Sequence, residues 1–137
     1  QQYILPYVNA IGYASVLLSA GRSMGESCAS FLQLAEAEFC YLLDARGEQI
    51  GHNLWAEHAQ RRDNRRFLPL NDAEGARWAL RPYFRRAIDN FGRVQTTRPY
   101  LSISGAGLCV TLSVSFKHNG EKRVLCGDID WGLAEGD

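Results

Sequence analysis

Two carboxylates stand two residues apart near the end of the chain, Asp128 and Asp130 in "VLCGDIDW". On a strand that spacing puts both on one face, with Cβ atoms about 7 Å apart, and paired carboxylates can do acid–base work. Upstream, "LCVTLSVSF" supplies Cys109, Thr111, Ser113 and Ser115 at alternate positions. Serine and cysteine are potential nucleophiles, and Ser102 and Ser104 add to the set. None lies in a strand-to-helix elbow, and none of His52, His58 and His118 is placed by pattern to act as a base. No enzymatic activity is therefore expected. The chemistry left is non-covalent: a carboxylate half-buried on a polar strand face needs a partner, and an ammonium or hydroxyl donor would serve.

The elements that hold these residues can be read from one turn. Asn119-Gly120 lies between two β-rich runs, and Asn-Gly supplies the two positive-φ residues of a type I′ hairpin. His118 then faces Glu121, and the pairing continues as Ser115 with Val124, Ser113 with Cys126, Thr111 with Asp128 and Cys109 with Asp130. Because side chains alternate, one face carries Val110, Leu112, Val114, Phe116, Leu125 and Ile129. That face calls for a helix layer. The other carries Cys109, Thr111, Ser113, Ser115, Cys126, Asp128 and Asp130, and is either wet or the lining of a polar cavity.

Upstream elements follow by the same reasoning. Residues 1–21 contain no charged side chain. Pro6, Asn9, Gly12 and three tyrosines interrupt them, so they make an apolar packing helix rather than a membrane span, and they lack the charged start and cleavage site of a secretory signal. Residues 23–37 read as a second helix, with Met24, Cys28, Phe31, Leu32 and Leu34 apolar. A hairpin follows, residues 38–44 and 48–54 around Ala45-Arg46-Gly47. Residues 55–72 read as irregular, residues 73–90 as a helix pair or one helix broken at Pro82, and "YLSIS" from Tyr100 as the third strand, with Leu101 and Ile103 on one side. The expectation is an α+β domain: a five-stranded antiparallel sheet with N-terminal helices on one face and a helical insertion over the other.

Composition limits partners. A chain of 137 residues, 46% apolar, suits one domain over 1–137, with a helical segment at 1–37 and sheet plus insertion at 38–131. Zero net charge gives no sign of nucleic acid, and the basic run Arg61-Arg62-Asp63-Asn64-Arg65-Arg66 reads as a solvated face. Cys28, Cys40, Cys109 and Cys126 form no C-x-x-C pair. With the histidines they complete no metal pattern, so no metal or cofactor is expected. Cys109 and Cys126 sit on offset rungs, and the four thiols read as small buried residues.

The order of elements, with "YLLDARGEQIGHNL", "RPYFRRAI", "RPYLSISGAGLCVTLSVSF" and "VLCGDIDW", resembles the PAS-like Cache or PDC sensor domains of bacterial chemoreceptors, histidine kinases and cyclic-di-GMP signalling proteins, over roughly residues 23–131. The resemblance implies a ligand-sensing input domain for a small polar or carboxylate metabolite. Arg81 and Tyr83 would stand where the family's carboxylate-gripping motif lies, and Tyr100 and Asp128 would complete the site. Phe84 lacks a hydroxyl often found at its place, and Ser102 stands where amine-binding members carry a second aspartate, so a carboxylate or other polar ligand is as well accommodated as a free amino acid. Arg81, Tyr83, Tyr100, Ser102, Thr111 and Asp128 are thus the candidate ligand-binding residues, with the insertion of residues 55–90 as lid. The alternative is a ligand-free dimerisation or protein-interaction module. A homodimer through the N-terminal helix is expected, because its uncharged length exceeds what one small sheet covers. The resemblance also implies an output signalling domain in a longer protein and an extracytoplasmic location. The unpaired thiols favour a reducing, cytoplasmic compartment as the alternative.

Overall fold

The computed structural model describes residues 4–62, 81–101 and 107–132. In chain order these form α1 (Leu5–Ser19), α2 (Met24–Leu32), β1 (Ala37–Leu43), β2 (Gln49–Trp55), α3 (Glu57–Arg62), α4 (Pro82–Asp89), β3 (Gln95–Thr96), β4 (Tyr100–Leu101), β5 (Leu108–His118) and β6 (Glu121–Gly132). The sheet is antiparallel, in the order β2-β1-β6-β5-β3, with β4 also on β5. This is the expected α+β architecture.

The β5–β6 hairpin anchors the sheet. Asn119 and Gly120 have φ of 53° and 80°, as a two-residue type I′ turn requires. The ladder runs from His118↔Glu121 through Ser115↔Val124, Ser113↔Cys126 and Thr111↔Asp128 to Cys109↔Asp130, the register expected from the turn. Val110, Leu112, Val114, Leu125 and Ile129 are at most 1% exposed and pack with Ile11, Ala14, Leu18, Cys28 and Phe31 of the helices.

Each N-terminal helix is positioned by polar ties as well as by its apolar face. Ser23 caps α2 by accepting from the Glu26 amide at 3.1 Å, satisfying one of the orphan donors of the first turn. The Ser19 hydroxyl at the end of α1 donates to the Lys117 carbonyl at 2.7 Å, and the Tyr7 hydroxyl accepts from the Glu36 amide at 2.9 Å. These bonds pin both ends of α1 to the sheet.

Three details differ from the sequence expectation and one agrees with it. The second helix stops at Leu32, and turns carry the chain to β1 at Ala37. The stretch read as irregular begins with α3, where Ala56 and Ala59 are fully buried beside Trp55 and Leu32, and His58 Nε2 lies 2.8 Å from the Ala37 carbonyl oxygen. Two alanines are too short a signal for periodicity to find. In the expected broken helix, α4 starts at Pro82, and residues 73–80 lie outside the described residues. Finally, among the described residues the sheet has six strands rather than five. β3 and β4 pair with successive parts of β5, at Ser113/Leu112 and Cys109/Leu108, so two short strands fill one edge position. Residues 102–106 of the expected third strand lie outside the described residues, and Leu101, expected on the apolar side, is 58% exposed at this edge.

Candidate functional site

Half of the polar face proves to be a seat for a helix. Ser113 Oγ donates to the Tyr83 carbonyl at 2.9 Å and Ser115 Oγ to the Ala87 carbonyl at 2.7 Å. Residues two apart on a strand are separated by about 6.7 Å, and residues four apart on a helix by about 6 Å. One turn of α4 therefore fits two rungs of β5. Ser115 Oγ also accepts from the Gly92 amide at 3.1 Å. Tyr83, Phe84 and Ala87 pack on Phe39, Tyr41, Leu43, Val124 and Cys126. The insertion does cover this face, through α4.

Beyond the end of α4 the other half is a polar cluster. The Thr111 hydroxyl is its hub, donating to Asp128 Oδ1 at 2.9 Å and lying 2.5 Å from the Tyr100 hydroxyl. Thr111 has one proton to give. With Asp128 ionised, Tyr100 therefore donates to Thr111 and Thr111 to Asp128. Thr97 braces the hub: its Oγ1 accepts from the Thr111 amide at 3.0 Å, and its amide donates to the Thr111 carbonyl at 3.1 Å. Beside this chain the hydroxyls of Tyr41 and Tyr83 lie 2.6 Å apart.

Burial sets the electrostatics. Asp128 is 9% exposed, and its pKa is pushed up to about 7. Desolvation is the main cause, the Thr111 hydrogen bond opposes it, the Glu38 charge adds to it, and Arg81 lowers it. Burial also raises Tyr83 and Tyr100, with Asp128 contributing to both, so their hydroxyls stay protonated. Arg81 sits at the exposed N-terminal boundary of α4, and its charge favours the ionised forms of Asp128 and Tyr83.

Arg81, Tyr83, Tyr100, Thr111 and Asp128 are accordingly brought together, while Ser102 lies outside the described residues. Sequence reasoning missed Glu38, Tyr41 and the contribution of β1. The cause is strand order: β1 lies against β6, with Phe39 paired to Asp128 and Tyr41 to Cys126, and a hydrophobic run on a first hairpin gives no sign of which strand it will join. Among the described residues no group of three or more His, Cys, Asp or Glu is placed to hold a metal ion, and no helix is long and apolar enough to cross a membrane.

N-terminal helices lie on one face of the antiparallel sheet and a polar cluster beside α4 lies on the other, the arrangement that the resemblance to Cache and PDC domains implies. No protein-family profile matches the chain, and no curated protein matches it in sequence. Solved structures do. The ligand-binding domain of the Campylobacter jejuni chemoreceptor Tlp3, in complex with 4-methylisoleucine, aligns with a TM-score of 0.56 at 14% identity, covering 95% of this chain and 49% of that one. That of the Pseudomonas aeruginosa amino-acid chemoreceptor PctC, in complex with GABA, gives 0.55 at 18%, covering 95% and 56%. The Bacillus subtilis YkuI protein, which has an EAL domain and was solved with c-di-GMP and calcium, gives 0.64 at 13%, covering 91% and 31%. At these identities the likeness is one of fold. The chain spans between about a third and just over half of the chains it matches.

Proposed function

We propose that this chain is the ligand-sensing input domain of a bacterial signal-transduction protein, a chemoreceptor, histidine kinase or cyclic-di-GMP enzyme, and that it binds a small polar or carboxylate metabolite between Arg81 and Asp128. The observation that carries this reading is the hydrogen-bonded chain Tyr100–Thr111–Asp128, which ends in a buried carboxyl with the Arg81 charge nearby. A ligand carboxylate suits the guanidinium fork. A ligand donor suits Asp128. The molecules bound in the two chemoreceptor structures, 4-methylisoleucine and GABA, each combine a carboxylate with an ammonium. The test is a thermal-shift screen of small metabolites, since a ligand that binds only the folded form raises its melting temperature. For a hit, Arg81→Ala and Asp128→Ala should each weaken binding by about 30-fold or more, because each strands a charged partner. Equal binding to both variants and the native chain, by calorimetry, would place the ligand elsewhere.

One observation favours the ligand-free reading as well. α1 turns Tyr7, Ile11, Ala14, Ser15 and Leu18 inward and leaves Leu5, Tyr13 and Val16 between 56% and 63% exposed along one outer stripe. We propose a homodimer through this stripe, with or without a ligand. Sedimentation should show a dimer for the native chain and a monomer for Val16→Glu. A native monomer at high concentration would rule out this contact.

A further inference from the structure

Two of the four cysteines lie on the helix-facing side of the sheet. Cys28 stands on the inner face of α2, one turn before Phe31, and Cys40 stands on β1 beneath it. Both are fully buried in the same core cluster; Cys40 pairs with Gly127 across the β1–β6 ladder, and the ring of Phe31, one turn after Cys28, lies against Gly127. The other two thiols are excluded as partners by the sheet. Cys126 belongs to the opposite face, packed with Tyr41 and Tyr83. Cys109 pairs with Asp130, while Cys126 pairs with Ser113, four residues along β5, which puts about 13 Å of strand between their rungs. A disulfide spans only about 5.5–6 Å between Cα atoms.

We propose that Cys28 and Cys40 form a disulfide bond when the chain folds under oxidising conditions, fixing α2 to the central sheet. With oxidised glutathione as oxidant, one cysteine thiolate attacks the glutathione disulfide and releases one reduced glutathione. The second cysteine, deprotonated, then displaces the other glutathione from the mixed disulfide. Two protein thiols and one glutathione disulfide become one protein disulfide and two glutathione thiols. Burial and the neighbouring Cys28 keep Cys40 protonated in the folded chain. The native reduced protein should therefore react slowly, and the bond should form during folding, before the core closes.

The experiment is refolding of the 137-residue chain from denaturant in a glutathione redox buffer, followed by alkylation and peptide mass mapping. The expected product is a Cys28–Cys40 cross-linked peptide, with Cys109 and Cys126 alkylated. The bridge closes a loop of about 13 residues, so the oxidised chain should melt about 10 °C above the same chain held reduced. Cys40→Ala should remove both the cross-link and this redox dependence, and Cys126→Ala should keep both. Four alkylated cysteines after oxidative refolding of the unsubstituted chain, or a bridge between any other pair, overturns the proposal.

Discussion

Asp128→Asn is expected to stabilise the protein at pH 8 by up to about 4 kcal/mol and to flatten its pH dependence. The ordinary carboxyl value is 3.8, and burial on β6 between β1 and β5 moves that of Asp128 to about 7. Below pH 4 both folded and unfolded chains carry the proton, and the residue contributes nothing to the pH dependence. Between pH 4 and 7 the folded chain holds a proton that the unfolded chain has lost. Stability then falls as pH rises, by about 1.4 kcal/mol per pH unit from this residue alone, and levels off above 7. Asparagine keeps an oxygen to accept from Thr111 and does not ionise. Urea unfolding at pH 5 and pH 8 should show the native chain losing stability across that interval through this group and the variant lacking that loss. An identical slope in both proteins would mean that Asp128 titrates normally.

On the proposed reading, the cost that Asp128 imposes on the fold is that of a group kept for binding. The same linkage would then distinguish its ligands. A ligand that donates an ammonium to Asp128 requires the ionised form, so its affinity should fall by about tenfold for each pH unit below 7. A ligand that presents only a carboxylate near Asp128 prefers the protonated form, and its affinity should rise on acidification.

How far the sequence disclosed this site depended on what kind of interaction fixed each part. The β5–β6 register was legible because Asn119-Gly120 admits few turn geometries, and alternation then assigned every side chain to a face. Those two constraints are enough to set Thr111 opposite Asp128. The use of the polar face was only half legible. Ser113 and Ser115 look like site residues, but they bond the carbonyls of Tyr83 and Ala87 and so seat α4; a hydroxyl's type does not reveal its partner. Tyr41 and Glu38 were hidden because their proximity to Asp128 depends on β1 joining β6 across more than 80 intervening residues. β3 was hidden for another reason: two residues cannot show a period.

The second large effect joins the helix layer to the strand that bears Asp128. Gly127 lies between Cys126 and Asp128, and its Cα faces the helices. A Cβ built there would sit 2.8 Å from Cζ of Phe31 and 3.0 Å from Cδ1 of Ile11. Phe31 and Ile11 have no exposed surface at all, so neither can swing aside. Phe31→Ala should cost about 3–5 kcal/mol, the lost transfer energy of the ring plus the cavity it leaves. Gly127→Ala should cost about 1–3 kcal/mol by overpacking against the same ring. The two effects are not independent, because the cavity left by the first occupies the space the second needs. The double variant should therefore be more stable than the sum of the single losses predicts, by about 1 kcal/mol or more. Denaturant unfolding of the four proteins closes the cycle. Strict additivity would mean that the ring does not rest on Gly127, and that α2 is less tightly seated on the strand carrying Asp128 than these distances indicate.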